Sequence, residues 1–240
     1  MTLTTPATVR RHAPTVHTVR WLLRQHLNVA AWSVGILAIA AIGGTLLVDH
    51  FWTVEISVVQ FARQAFIWFP FSIAIITTTS FINVHVAAGM TRRALGRASL
   101  VTGLVMAAFY TVVMTVALQI ERVAYDARGW PHTIVDDMPV FDDTSQVGWI
   151  LVDLGLVFTA AQLCGLLVGI VYYRAGGWWG TLALPFTVGP VLLMTPLLTT
   201  ALLDPWTAEA RVPVAVALLV ATAVAYLALL HRTQIRQVTT

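Results

Sequence analysis

The residues best placed to do chemistry in this chain are cationic. Between Val86 and Ser99 stand Arg92, Arg93 and Arg97, with no acid among them and with Gly89 and Gly96 beside them. A guanidinium presents a fixed fork of donors that suits carboxylates and carbonyl groups. The chemistry on offer is therefore recognition of acidic or backbone groups on a partner. Catalytic schemes lack the residues they need. All 14 basic residues are arginine, which removes the lysine of a phosphate-binding GxxxxGK[ST] loop and any lysine Schiff base. His12, His17, His26, His50, His85, His132 and His231 fall in loops or near the ends of apolar stretches. That leaves no facing histidines for a haem and no central base for a serine nucleophile. No glutamate lies inside an apolar stretch, so a zinc-protease cluster is absent too. The lone Cys164 excludes an intrachain disulfide. Asp153 is the one acid inside an apolar stretch, about one turn from its outer end, and is expected to snorkel outward.

The elements that position these residues are set by hydropathy. The chain is 58% hydrophobic and only 10% charged, with a mean hydropathy of +0.80; a soluble domain carries roughly 25% charged residues. A bilayer core needs about 20 apolar residues per helical span. The sequence supplies six such stretches, at Val29–Val48, Ala65–Val84, Leu100–Ile120, Trp149–Tyr172, Trp178–Leu203 and Val214–Leu230. The expected fold is an all-α integral membrane protein of six transmembrane helices. Residues 1–28 form a cytoplasmic segment with an interfacial amphipathic helix, 29–230 the transmembrane domain, and 231–240 a cytoplasmic tail.

Charge orients this bundle, because arginines flanking spans are retained inside the cell. Loops taken alternately place Arg10, Arg11, Arg20, Arg24, Arg92, Arg93, Arg97, Arg174, Arg232 and Arg236 on one side with no acid. The other side mixes Arg63, Arg122, Arg128 and Arg211 with ten acids, among them Asp49, Glu121, Asp126, Asp136, Asp137 and Asp204. Both termini and the loop at residues 85–99 are expected in the cytosol, in a multi-pass protein of the cell membrane. The net charge of +3 hides two faces of opposite sign. Topology and anionic lipid account for the basic one without nucleic acid.

Several local patterns add expectations. Val16, Val19, Leu22, Leu23 and Leu27 recur at helical spacing opposite His17, Arg20 and Arg24, with Trp21 as an interfacial anchor. Gly129, Pro131 and Pro139 break an external loop at 121–148. Ala161, Gly165 and Gly169 form a small-xxx-small stripe that permits close helix approach. Thr77, Thr78, Thr79, Ser80 and Asn83 make a polar band whose hydroxyls can bond back to their own helix. Pro185, Gly189, Pro190 and Pro196 divide the fifth stretch. A translocation path would draw on Trp68, Phe71, Thr78, Asn83, Pro190 and Met194.

Within the basic loop, Gly89 can end one helix and Thr91 can cap the next. Gly89-Met90-Thr91-Arg92-Arg93, followed by Leu95 and Arg97, resembles the cytosolic element between the second and third spans of permease subunits of type-two ATP-binding-cassette (ABC) exporters. The resemblance covers the whole chain as a topology and about a dozen residues as a motif. It implies a dimer of permeases, a separate cytosolic ATPase that binds ATP and Mg2+, and no enzymatic site in this chain. It also implies that the loop docks on that ATPase, Arg92 and Arg93 meeting acidic or backbone groups while Met90 and Leu95 fill an apolar groove. The expected cargo is hydrophobic or amphipathic. Only Asp204 to Pro213 separates the last two apolar stretches, so the outer re-entrant element of many members is either reduced or missing. A membrane sensor or anchoring subunit that transports nothing is the alternative function.

Overall fold

A computed structural model describes residues 14–89, 91–134, 141, 143–199 and 207–233. Six helices account for almost all of them: α1 (Pro14–Phe51), α2 (Ala62–Ala87), α3 (Arg92–Arg128), α4 (Val147–Leu182), α5 (Leu184–Thr199) and α6 (Ala208–His231). A single 3-10 turn, Val59–Phe61, leads into α2. Among the described residues there are no strands, only an isolated bridge between Ile56 and Thr133. Five of the helices are long and apolar enough to cross a membrane. This is the architecture of a multi-pass membrane protein.

The bundle is organised around α4, which packs on α2, α3, α5 and α6. Every residue from Ala161 to Ile170 is buried, as expected of a central helix whose segment is apolar on every side but for Gln162. The small-residue stripe does its packing inside this chain. A Cβ added at Gly165 would lie 2.4 Å from the Phe71 carbonyl oxygen, and one at Gly169 would lie 2.8 Å from Thr78 Cβ. Only hydrogen at these positions lets the α4 backbone approach α2 so closely. By contrast, α1 lies at the edge, packed mainly on α3. Thr18, Leu22, His26 and Ala30, four residues apart, are its buried face at the α2–α3 end.

Three expected boundaries differ. The amphipathic segment Val16–Leu27 is not a separate interfacial helix but the first third of α1, which runs unbroken for 38 residues. At 1.5 Å per residue that is about 57 Å, well beyond the roughly 30 Å bilayer core. No glycine or proline lies between Thr15 and Val34 to stop it. The external loop does not begin at residue 121, because α3 continues to Arg128 and ends on Gly129 in the left-handed conformation, φ 67°. The fifth stretch is not one helix. Gly176 (φ 78°, ψ −178°) breaks the helical path inside α4, and Ala183 separates that element from α5. Pro190 and Pro196 sit within α5. With 16 residues, α5 is shorter than a full span. Leu203 and Asp204 lie outside the described residues, as do Arg10, Arg11, His12, Met90, Asp136, Asp137, Pro139 and Arg236.

Candidate functional site

The arginine segment is narrower than its sequence suggests. Helix α2 runs to Ala87 and α3 starts at Arg92, so residues 88–91 alone make the turn. Gly89 takes φ +73°, and a Cβ there would meet nothing within 4 Å, so glycine is needed for conformation and not for space. Thr91 is extended (φ −80°, ψ 146°), and its hydroxyl accepts from the Ala94 amide at 3.2 Å, capping α3. The helix that follows the turn is α3 itself.

The members of the motif then separate. Arg93 and Arg97, four residues apart, are exposed on one face. Arg92 is half-buried and donates from its guanidinium to the Thr233 carbonyl just past α6. Leu95 is 2% exposed and packs in a cluster with Tyr226 and Leu230 of α6, so its side chain is not available to a partner. At neighbouring Gly96 an added Cβ would lie 2.7 Å from Leu230 Cδ2. Two arginines in the first turn of α3, with no acid there, oppose the positive end of the helix macrodipole. Their charge is not placed to stabilise α3.

Other contacts gather at the same end. Trp21 of α1 stacks edge-on against Phe81 and His85 of α2, at 4.8 Å and 5.7 Å between ring centroids. Arg174 of α4 donates to the Leu229 carbonyl of α6 at 3.1 Å. Tyr173 donates to Asn83 Oδ1 at 2.6 Å. The start of α1, the Gly89 turn, Arg174 and the end of α6 thus share one end of the bundle. His26, expected at a span end, is buried: its Nδ1 lies 2.8 Å from the Leu22 carbonyl and its Nε2 3.2 Å from Thr77 Oγ1.

Two buried polar nodes lie toward the opposite end, and sequence reasoning missed both. Arg63, placed in an outer loop by its sequence position, belongs to the first turn of α2 and is 5% exposed. Its Nη2 donates to Asp153 Oδ2 at 3.0 Å and to Thr195 Oγ1 at 3.4 Å, joining α2, α4 and α5. Asp153 does not snorkel outward; it is 0% exposed because its charge is neutralised inside the bundle. The signal available beforehand was depth: Arg63 and Asp153 each lie within a turn or so of the outer end of an apolar stretch.

The second node is Glu121, 6% exposed in α3. Its carboxylate accepts from the Ser57 hydroxyl, from the amides of Val58 and Val59 at 2.8 and 2.9 Å, and lies 3.0 Å from His132 Nε2. His132 Nδ1 in turn lies 3.0 Å from Thr144 Oγ1. One carboxylate therefore gathers the α1–α2 connection and the α3–α4 connection. Nearby, the Ser145 hydroxyl and amide hold the exposed Asp143 carboxyl below its usual value.

The residues expected to line a path lie in differing surroundings. Trp68 and Phe71 touch edge-on at 5.6 Å. Thr78 is 2% exposed, and its hydroxyl bonds back to Ala74 at 3.3 Å, as Thr77 and Thr79 do to Ile73 and Ile75. Met194 is 0% exposed in the main core, and Pro190 is half-buried in α5. Among the described residues no group of three or more His, Cys, Asp or Glu side chains could hold a metal. The arrangement offers recognition and mechanical coupling. In comparison with known proteins, the chain matches no family model, no curated protein and no solved structure.

Proposed function

We propose that this chain is the membrane-spanning permease subunit of an ABC exporter of the type-two class. It works in the cell membrane as two permease copies with a separate cytosolic ATPase, which binds the ATP and Mg2+. The observation that carries the reading is the placement of Arg93 and Arg97. They are two exposed cations one turn apart beside a capped, left-handed turn, and Arg93 stands in the first turn of α3, where the helix dipole disfavours it. A cation kept against a local electrostatic cost calls for an anionic counterpart, and an acidic ATPase surface provides one.

The same contacts supply a lever. A push on the Gly89 turn acts on α3, a rigid rod of 37 residues, and through the Arg92–Thr233 contact on the end of α6. Nucleotide-driven closure of the ATPase pair then biases the spans between two arrangements. The cargo is hydrophobic or amphipathic, in keeping with the apolar surfaces of the helices.

The test is the double variant Arg93→Glu/Arg97→Glu, purified in detergent from its native membrane. Both side chains are exposed, so thermal stability is expected to stay at the wild-type value while a Walker-motif ATPase is lost from the complex. Wild-type levels of that ATPase on the folded double variant would disprove the docking role. Failure of the wild type to bind any Walker-motif ATPase would disprove the permease reading, and a bound kinase or sigma-factor antagonist would favour the sensor.

A further inference from the structure

A cavity of about 390 Å3 opens between α1 on one side and α2 and α3 on the other, where α1 and α2 scarcely touch. Leu37 and Ala41 of α1, Phe66 of α2, and Val113, Ala117 and Ile120 of α3 form its walls. Along α1 it runs from Val34 to Leu46, about 18 Å at 1.5 Å per residue. The volume falls in the range of small-molecule sites, roughly 300–1,000 Å3. A single hydrocarbon chain suits a groove of this length and apolar lining.

The polar end of the cavity is as specific as its walls. Glu121 borders it, but its oxygens are engaged by Ser57, Val58, Val59 and His132. The exposed charges are at the rim. Arg128 lies over the Trp130 ring at 4.8 Å and 3.4 Å from Asp49, with the two side chains 54% and 40% exposed. Asp49 stands one turn beyond Thr45 on the face of α1 that borders the cavity. An exposed ion pair of this kind contributes little and exchanges readily for better partners.

We propose that this cavity is a phospholipid site selective for a headgroup that carries both a phosphate and a primary ammonium. The acyl chain lies between α1 and α3, the phosphate takes the Arg128 fork, and the ammonium donates to Asp49. In a bilayer the hydrocarbon tail gains nothing from leaving lipid for an apolar wall. Selectivity therefore resides in the rim charges, and the walls set only where the chain lies. The inference requires a surrounding membrane and does not depend on the exporter reading.

The test is lipid retention, measured by native mass spectrometry on the full chain released from nanodiscs containing equal phosphatidylethanolamine, phosphatidylglycerol and phosphatidylcholine. The wild type is expected to retain about one phosphatidylethanolamine, at least fivefold over either competitor. Asp49→Asn should abolish the preference over phosphatidylglycerol, and Arg128→Gln should lower retention of all three. Ala38→Trp, placed at an exposed position bordering the cavity, should block retention, whereas Val220→Trp on exposed α6 surface should not. If Ala38→Trp fails to fold, Ala124→Trp tests the same space. Equal retention of the three lipids by the wild type, or wild-type retention in a folded blocking variant, overturns the proposal. Loss of a dimer with lipid retention intact in Ala38→Trp would likewise overturn it and assign the face to a second copy.

Discussion

Arg63 and Asp153 show what single charges do in this bundle. Each is nearly or fully buried, and they are held at 3.0 Å across α2 and α4. Removing one partner strands the other, which costs about 3–5 kcal/mol in buried pairs. Asp153→Asn is therefore expected to lower the thermal unfolding midpoint in detergent sharply. Replacing both residues by apolar ones of similar volume should recover most of the loss, since such exchanges are often neutral. A double variant as unstable as the single one would show that the pair does more than neutralise charge. The glycines test steric argument in the same way. Gly165→Val would drive a side chain into the Phe71 carbonyl, and overpacking typically costs about 1–3 kcal/mol. Its midpoint should fall more than that of Gly155→Val, whose added Cβ meets nothing within 4 Å.

At the level of elements, the turn between α2 and α3 was the most legible part of the chain. Gly89 and Thr91 act through their own backbone and side chain, and such local chemistry survives into the folded state. Thr91→Ala is expected to cost about 1 kcal/mol and to speed amide exchange at Ala94, whose hydrogen bond it removes. Gly89→Ala should cost about 1–2 kcal/mol through its left-handed backbone, with no clash to relieve. Comparable exchange at Ala94 in Thr91→Ala and wild type would contradict the cap. The elements that sequence placed less well were those decided by continuity. Helix α1 passes through the expected join between interfacial and spanning segments, because amphipathic and apolar stretches share one backbone geometry and nothing interrupts them. Hydropathy gave the fifth stretch enough apolar residues to span, but Ala183 divides its helical path between the end of α4 and α5.

For the whole molecule, the two ends of the bundle are built differently. The end bearing the Gly89 turn is joined by contacts between helix termini, including Arg92 to Thr233 and Arg174 to Leu229. At the other end, beside the Arg63–Asp153 pair, the two connecting segments converge on the buried carboxylate of Glu121. Glu121→Ala leaves the Ser57 hydroxyl and two amides without their acceptor, and each such buried donor costs about 1–3 kcal/mol. Faster hydrogen exchange at Val58 and Val59 is expected, with smaller changes at the Gly89 turn. Uniform loosening of both ends would mean that Glu121 supports the entire bundle and not one end of it.

The sequence by itself determined the class of the protein, an all-helical chain with spans of bilayer length, and the glycine stop at Gly89. Those are local properties: hydropathy sums along a segment, and a left-handed residue or an N-cap needs only its neighbours. Tertiary structure decided which polar groups are buried and with whom. Arg63 meets Asp153, Glu121 meets His132, and Leu95 turns into α6 because helix rotation and depth bring together residues that are 90, 11 and more than 100 positions apart. It also decided that Gly165 and Gly169 serve the contact with α2 within this chain. Spacing along one helix fixes a face, but which neighbour that face meets is fixed only when all the helices pack.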